Sequence, residues 1–547
     1  MKVRFFVVYM LAMMIQMFHA NGQDYYWVAF TDKNNSQYSL SYPEEFLSSR
    51  AIQRRNNQLI AIDSLDLPVN ANYVSQVVGQ GAKFIHSSKW LNGITVKAEV
   101  KDFKSKVLQL PFVKEVQLTK TGIETKSAII KFNESGSEDN LPVDTSYYGP
   151  SVFQTAIMNG QFLHNLNMKG QGFQIAVLDG GFLNTDIYPA FYTLWSNNQI
   201  LGTKDFVDPS VRFFDTHYHG MSVLSCMGGY VQGQLVGTAP KASYWLIRSE
   251  DNGSEFLIEE DNWVAAAEYA DSVGADVINS SLGYFMFDDP QMDHTYAEMD
   301  GKTTRVTKGA NIAASRGMLV FSSAGNEGNN NWKYIVAPAD GDSVFGVGAV
   351  GKDTIPAYFT SYGPASNGDV KPNVTALGFQ TYLQRSNGLL GYSNGTSFSS
   401  PVLAGMATCL WQSLPEAKAY EVKRAIEKSA HIYEKPDSLM GYGVPDFKLA
   451  NQILKEIISK RDGSEKKWLV YPNPANEYVI LEWEVEQVPQ TIEIDVFSVD
   501  GKWLRKWIKP GSKQILLNEI QTLPAGILIL RINSGNNLET VKLSKYR

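Results

Sequence analysis

"FQIAVLDGG", residues Phe173 to Gly181, is the stretch on which the fold turns. Its apolar run, Ile175 to Leu178, has no polar face, so a strand built from it is covered on both sides. The run stops on a charge, Asp179, followed by two glycines. Similar runs recur downstream: "ASYWLIRS" (242–249), "ADVINSSL" (275–282), "GMLVFSSAGN" (317–326) and "VFGVGAV" (344–350). Helical patterns separate them. One, "EFLIEEDNWVAAAEYADSVG" (255–274), predicts a helix capped by Ser254 and stopped by Gly274. Buried strands alternating with helices over residues 147–460 predict an α/β unit, a mostly parallel sheet with helices on both faces. In such sheets reactive side chains collect beyond the carboxyl ends of the strands. Asp179 sits at such an end.

The flanks read differently. Residues 1–22 carry Lys2 and Arg4, an apolar segment from Phe5 to Ile15 and a small-x-small site at Ala20-Asn21-Gly22. That is the pattern of an export signal, and its apolar run is short for a membrane span. No later stretch reaches the roughly 18 apolar residues a spanning helix needs. Residues 23–120 mix strands ("YYWVAF", "ITVKAEV", "VKEVQL") with helices ("EEFLSSRAIQRRNNQ", "ANYVSQVVGQG"), a small α+β unit. Residues 121–146 follow as a linker, whose "NESGSEDNLPVDTS" is polar, acidic and turn-rich. From 469 to 547, alternating strands separated by Pro-Asn-Pro, Asp-Gly and Ser-Gly-Asn-Asn turns predict a small antiparallel β-sandwich.

With 547 residues, the chain has room for three or four folding units. Its net charge of −7 (49 basic against 56 acidic residues) is spread without long like-charge blocks, which argues against a nucleic-acid partner. The two cysteines, Cys226 and Cys409, both lie in apolar stretches; export permits one disulfide between them, but a chain of this size needs no staple, and they read as buried free thiols.

"NGTSFSSP", residues Asn394 to Pro401, crowds four hydroxyls before another apolar helix pattern. Ser399 or Ser400 could cap that helix, with Pro401 in its first turn and Ser397 in the loop before it. Alternatively, Ser397 is a nucleophile. A serine attacks a carbonyl only when an oriented, charge-stabilised base takes its proton. Outside the export signal and the first unit the histidines are His164, His217, His219, His294 and His431. His219, in "HYHGMSVLSCMGG", stands at the start of a helical pattern, the place for a base facing the open end of a sheet. Asp179 reads either as a turn former or as the orienting carboxylate. Asn326, in "FSSAGNEG", reads either as an ordinary turn residue or as an amide donor to an oxyanion.

Taken together, "IAVLDGGF", "HYHGMSVLS", "INSSLG", "SSAGNEG" and "NGTSFSSP" occur in the order and spacing of the subtilisin-like serine proteases, which the chain resembles. The resemblance implies a secreted serine endopeptidase working through an acyl-enzyme. In it Asp179 orients, His219 is general base and acid, Ser397 is the nucleophile and Asn326 donates to the oxyanion. It implies substrate-binding edges at Ser281-Leu282-Gly283 and Ala324-Gly325, where an extended peptide adds as a strand. Neither edge is charged, so uncharged or apolar side chains are expected there. Two positions depart from the family pattern: Gly180 and Met221 stand where hydroxyls are usual. They leave open a second reading, a catalytically silent subtilisin-fold surface protein that binds a peptide or glycan.

The flanks resemble known companions of such proteases. Residues 23–120 look like the propeptide that assists folding and blocks the site, with the cut expected in 121–146. "YPNPANE", "SVDGK", "LPAGILILRI" and "KLSK" resemble the type A sorting domain of the type IX secretion system of Bacteroidetes. The implied partners are protein or peptide substrates, the chain's own propeptide and the secretion machinery, with delivery to the cell surface or beyond. No cofactor is required. Structural calcium is common in the family, but no compact Asp-rich loop marks a metal site.

Overall fold

The structure, a computed structural model, describes residues 23–122, 131, 147–461, 468–483, 490–499, 501–535 and 538–546. The export signal and most of the linker lie outside these residues. Two compact units form, Met1–Ile453 and Leu454–Arg547.

The first unit opens with a four-stranded antiparallel sheet in the order β2-β3-β1-β4. Its strands are β1 (Tyr25–Phe30), β2 (Ala82–Ser88), β3 (Gly93–Ala98) and β4 (Val113–Lys120). Its two longer helices are α1 (Ser49–Gln58) and α2 (Ala71–Val78). Each starts on a side-chain cap: Ser48 accepts from the Ala51 N–H, and Asn70 from those of Asn72 and Tyr73. One face of the sheet buries Val28 and Phe30 with Val77 and Phe103 in a core of its own. Trp27, on the other face, is buried as well, with the Arg305 guanidinium 5.1 Å from its ring centroid. A sheet buried on both faces needs a second partner.

That partner is the α/β layer. Its seven strands are β5 (Gln174–Asp179), β6 (Ile200–Asp205), β7 (Ser243–Arg248), β8 (Val277–Ser280), β9 (Leu319–Ser323), β10 (Phe345–Val350) and β11 (Val374–Leu377). All pair in parallel, in the order β11-β10-β9-β8-β5-β7-β6. The chain enters at β5, builds outward to β6, returns to β7 and then crosses to β8 on the far side of β5. Connections therefore leave β5 and β8 in opposite directions, and the crevice at their carboxyl ends is the switch point where ligands bind in such sheets.

Helices α3 (His219–Gly228), α4 (Ile258–Val273), α5 (Arg305–Ser315) and α6 (Thr396–Ser413) cover this sheet. α4 ends on Gly274 at φ +93°, as predicted, but its start differs. Leu257 holds the cap position, and the Ser254 hydroxyl turns back to donate to Asp251 at 2.8 Å. Glu255 and Phe256, between them, lie outside the helix.

The second unit carries two antiparallel sheets. One has three strands, Trp468–Tyr471, Val479–Trp483 and Gln514–Leu517; the other has four, Thr491–Ser498, Trp503–Pro510, Gly526–Asn533 and Leu538–Lys545. Alternate residues such as Ile492, Ile494 and Val496 join Leu481 and Leu530 in one core, as a sandwich requires. Among the described residues no helix is long and apolar enough to cross a membrane.

Candidate active site

Asp179 is the last residue of β5, fully buried, at the β5–β8 crevice. Its Oδ1 lies 2.8 Å from His219 Nδ1 and accepts the Gly180 N–H at 2.7 Å. Burial pushes the carboxyl up from its ordinary range, against the pull of the histidine it bonds. Oδ2 is buried with no hydrogen-bond partner among the described residues. Position 180, where the resemblance expects a hydroxyl, has none to offer. His219 begins α3, as the sequence predicts. Its backbone N–H donates to His217 Nδ1 at 3.3 Å, and burial pushes His217 down to about 4, which keeps that ring a neutral acceptor.

Ser397 lies in the first turn of α6, which starts at Thr396 after Gly395. The expected loop before the helix is therefore one turn shorter, and Pro401 sits inside the helix. The other hydroxyls of "NGTSFSSP" have separate employment: Ser399 donates to the Thr396 carbonyl at 3.0 Å and Ser400 to Asn279 Oδ1 at 2.9 Å. Neither caps the helix. Among the described residues Ser397 Oγ reaches only the Ser281 carbonyl, at a long 3.4 Å, while Ser281 Oγ donates to the Ser397 carbonyl at 2.8 Å. These bonds pin the helix start against the end of β8. The ring of Phe398, next to Ser397, is 6.0 Å from the His219 ring, centroid to centroid.

Asn326, exposed just past β9, accepts from the Thr396 N–H at 2.9 Å and the Thr396 hydroxyl at 3.0 Å. With its oxygen engaged in this way, the NH₂ is the end of the amide that remains to donate. A cavity of about 360 Å³ is lined by Ser397, Asn326, Ser281, Leu282, Gly283 and Gly325, among others. Ala324 is placed differently. Its N–H donates to the Val347 carbonyl and its carbonyl accepts from Val336, so its backbone is committed within the fold.

The two edges carry no charge, as read, but a third wall does. Glu250 and Glu255 line the same cavity, and Glu259 joins them within 4.8 Å. All three are buried, and none was singled out from the sequence, where they sit as ordinary acids in a polar turn and a helix start. Cys226 and Cys409 are free and buried.

Three family descriptions match this chain. A Bacteroidota peptidase S8 propeptide domain covers residues 25–134, and a secretion system C-terminal sorting domain covers 469–545. The thermophilic serine proteinase of Bacillus sp. (strain AK1) is 27% identical over 311 residues, 55% of this chain and 67% of that protein. Subtilisin DY of Bacillus licheniformis is 26% identical over 268 residues, 48% of this chain and 87% of that one. The thermostable alkaline protease of Halalkalibacterium halodurans is 27% identical over 317 residues, 57% and 76% of the two chains. Between the two flanking matches, the description "Subtilase family" fits residues 170–443, a span that holds Asp179, His219, Asn326 and Ser397, and the chain belongs to that family.

Proposed function

We propose that this subtilase, a serine endopeptidase, cuts peptide bonds through Asp179, His219 and Ser397 by way of an acyl-enzyme. Ser397 Oγ bonds to the scissile carbonyl carbon as His219 Nε2 takes its proton. The same proton passes to the leaving amine as the C–N bond breaks, and water repeats the sequence to release the acid. Asp179 fixes the tautomer by accepting from Nδ1 and stabilises the ring when it is charged. The oxyanion is held by the Asn326 NH₂ and the Ser397 N–H, a first-turn amide that the helix does not use itself.

The observation that carries this reading is the 2.8 Å contact between a buried carboxylate and His219 at the sheet's switch point. The silent-platform alternative rests on Gly180 and Met221. Against it, the Gly180 backbone itself donates to Asp179 Oδ1. The test is casein hydrolysis by the secreted protein: Ser397→Ala is expected to abolish it, and hydrolysis unchanged by that substitution would overturn the assignment.

The propeptide and sorting-domain matches support a secreted zymogen. We infer that the first α+β unit is removed by a cut in 121–146 and that 469–547 directs the protein through the type IX machinery to the cell surface or beyond. Ser397→Ala is expected to keep the first unit attached, read as the mass of the secreted chain. Normal processing of that variant would assign the cut to another protease.

A further inference from the structure

Lys131 belongs to the stretch matched as propeptide, yet its side chain is 7% exposed and ends among the three buried glutamates. Its Nζ lies 2.6 Å from Glu250, 2.9 Å from Glu255 and 2.7 Å from Glu259, and 2.6 Å from the Asp251 carbonyl. The carboxylates are held for this. Tyr284 donates to the far oxygen of Glu250 at 2.8 Å, and the Asp251 N–H donates to Glu259 at 3.0 Å. Glu255, itself 5% exposed, keeps one oxygen buried with no hydrogen-bond partner among the described residues. Lys131, Glu250 and Glu255 line the cavity that also holds Ser397 and Asn326.

With the cut after residue 134, where the propeptide match ends, Lys131 leaves with the α+β unit. Three buried carboxylates then face one another without a cation, a costly state unless protons or a new cation enter. The next chain to occupy that cavity is a substrate. We propose that the glutamate pocket is a specificity pocket that takes the ammonium of a substrate lysine on the amino-terminal side of the bond to be cut, with Lys131 as the propeptide's own occupant. This rests on the protease reading above. An ammonium, with three donors on a narrow stem, matches acceptors converging from several directions, whereas a guanidinium is a wide planar fork. Lysine is therefore selected over arginine.

Two measurements test it, and one needs no turnover. The tagged heptapeptide AIIKFNE (residues 128–134) and its Lys131→Met form are titrated onto the secreted protein after fluorophosphonate treatment, with binding read by anisotropy. The lysine form is expected to bind about 30-fold or more tightly, the loss typical of removing one partner of a buried charge pair. Glu255→Gln combined with Glu259→Gln is expected to collapse that ratio. Equal affinities, or a ratio that survives the double substitution, would overturn the proposal whether or not the protein is active.

The second measurement aligns the bonds cut in a complex peptide mixture by mass spectrometry. Lysine is expected to be enriched at one position on the amino-terminal side. Cleavage without such enrichment overturns the pocket and leaves the protease intact. Lysine-selective binding with no cleavage overturns the protease reading and keeps the pocket.

Discussion

A catalytic side chain needs partners at contact distance, and that leaves little room around it. Gly220, next to His219, shows the constraint: a Cβ there would lie 2.7 Å from the Asp179 Cβ and 2.6 Å from the Gly181 carbonyl oxygen. Gly220→Ala is expected to cost about 1–3 kcal/mol and to push Asp179 off the His219 ring, seen as a lower Tm together with a lower kcat. Asp179→Asn keeps the shape but loses the charge that steadies the ring. Its kcat is expected to fall about 10⁴-fold with KM little changed, in a steady-state assay near neutral pH. Positions crowded in this way leave a mark in the sequence, because the crowding forces small neighbours and so writes a local motif, as around Asp179, His219, Asn326 and Ser397. The glutamates were not. Glu250, Glu255 and Glu259 become a pocket only when Tyr284 and Leu282, from another strand's end, close over them.

Among the elements, α4 departs furthest from its sequence pattern. Its acidic residues Glu259, Glu260, Asp261, Glu268 and Asp271 would suit a solvated face, yet all are buried. Arg54 and Arg55 of α1, with Lys89 after β2, close over Asp271, and Arg55 makes two contacts with it at 2.8 and 3.0 Å. Burial alone would raise the Asp271 carboxyl; Lys89, Arg54 and Arg55 hold it well below the ordinary range instead. Asp271→Asn leaves three buried cations short of their counter-charge. In the unprocessed Ser397→Ala protein it is expected to cost about 3–5 kcal/mol, measured by urea unfolding. The same change in the processed enzyme, where this face meets water, is expected to cost well under half as much. Equal losses in both forms would show that the first unit does not supply the pairing. The strands were easier to read than this helix, since an apolar run reports burial directly. A charged face reports burial only when the partner's charges are known.

On the scale of the whole molecule, changes of composition marked the α+β unit, the α/β layer and the sandwich. What composition hid is how far the first is built into the second: Trp90, just after β2, sits in one core with Trp263 and Ile278 of the α/β layer. The interface also buries groups that titrate. His86 of β2 pairs with Asn262 of α4 at 2.8 Å, and burial pushes it down to about 4. An exposed histidine titrates near 6.5, so the separated unit takes the proton first. The contribution of His86 to docking is whole above about 6.5 and is lost as pH falls toward 4, about 3 kcal/mol from this group. Asp261, pushed up to about 7 by burial, works in the opposite sense. The expectation therefore concerns a difference: the gap in docking affinity between wild type and His86→Gln shifts steadily between pH 6.5 and 4, with wild type the more acid-sensitive. Gel filtration of the processed mixture reads it, and a gap that does not move with pH would contradict the assignment.

All of this depends on Ser397 being the one hydroxyl made reactive at the end of the parallel sheet. The direct measurement is mass spectrometry of the secreted protein after fluorophosphonate treatment, with the adduct located by peptide mapping. One adduct is expected, on Ser397, formed at a rate that Asp179→Asn sharply lowers. An adduct on any other residue, or undiminished casein cleavage with Ser397 unlabelled, would contradict the account.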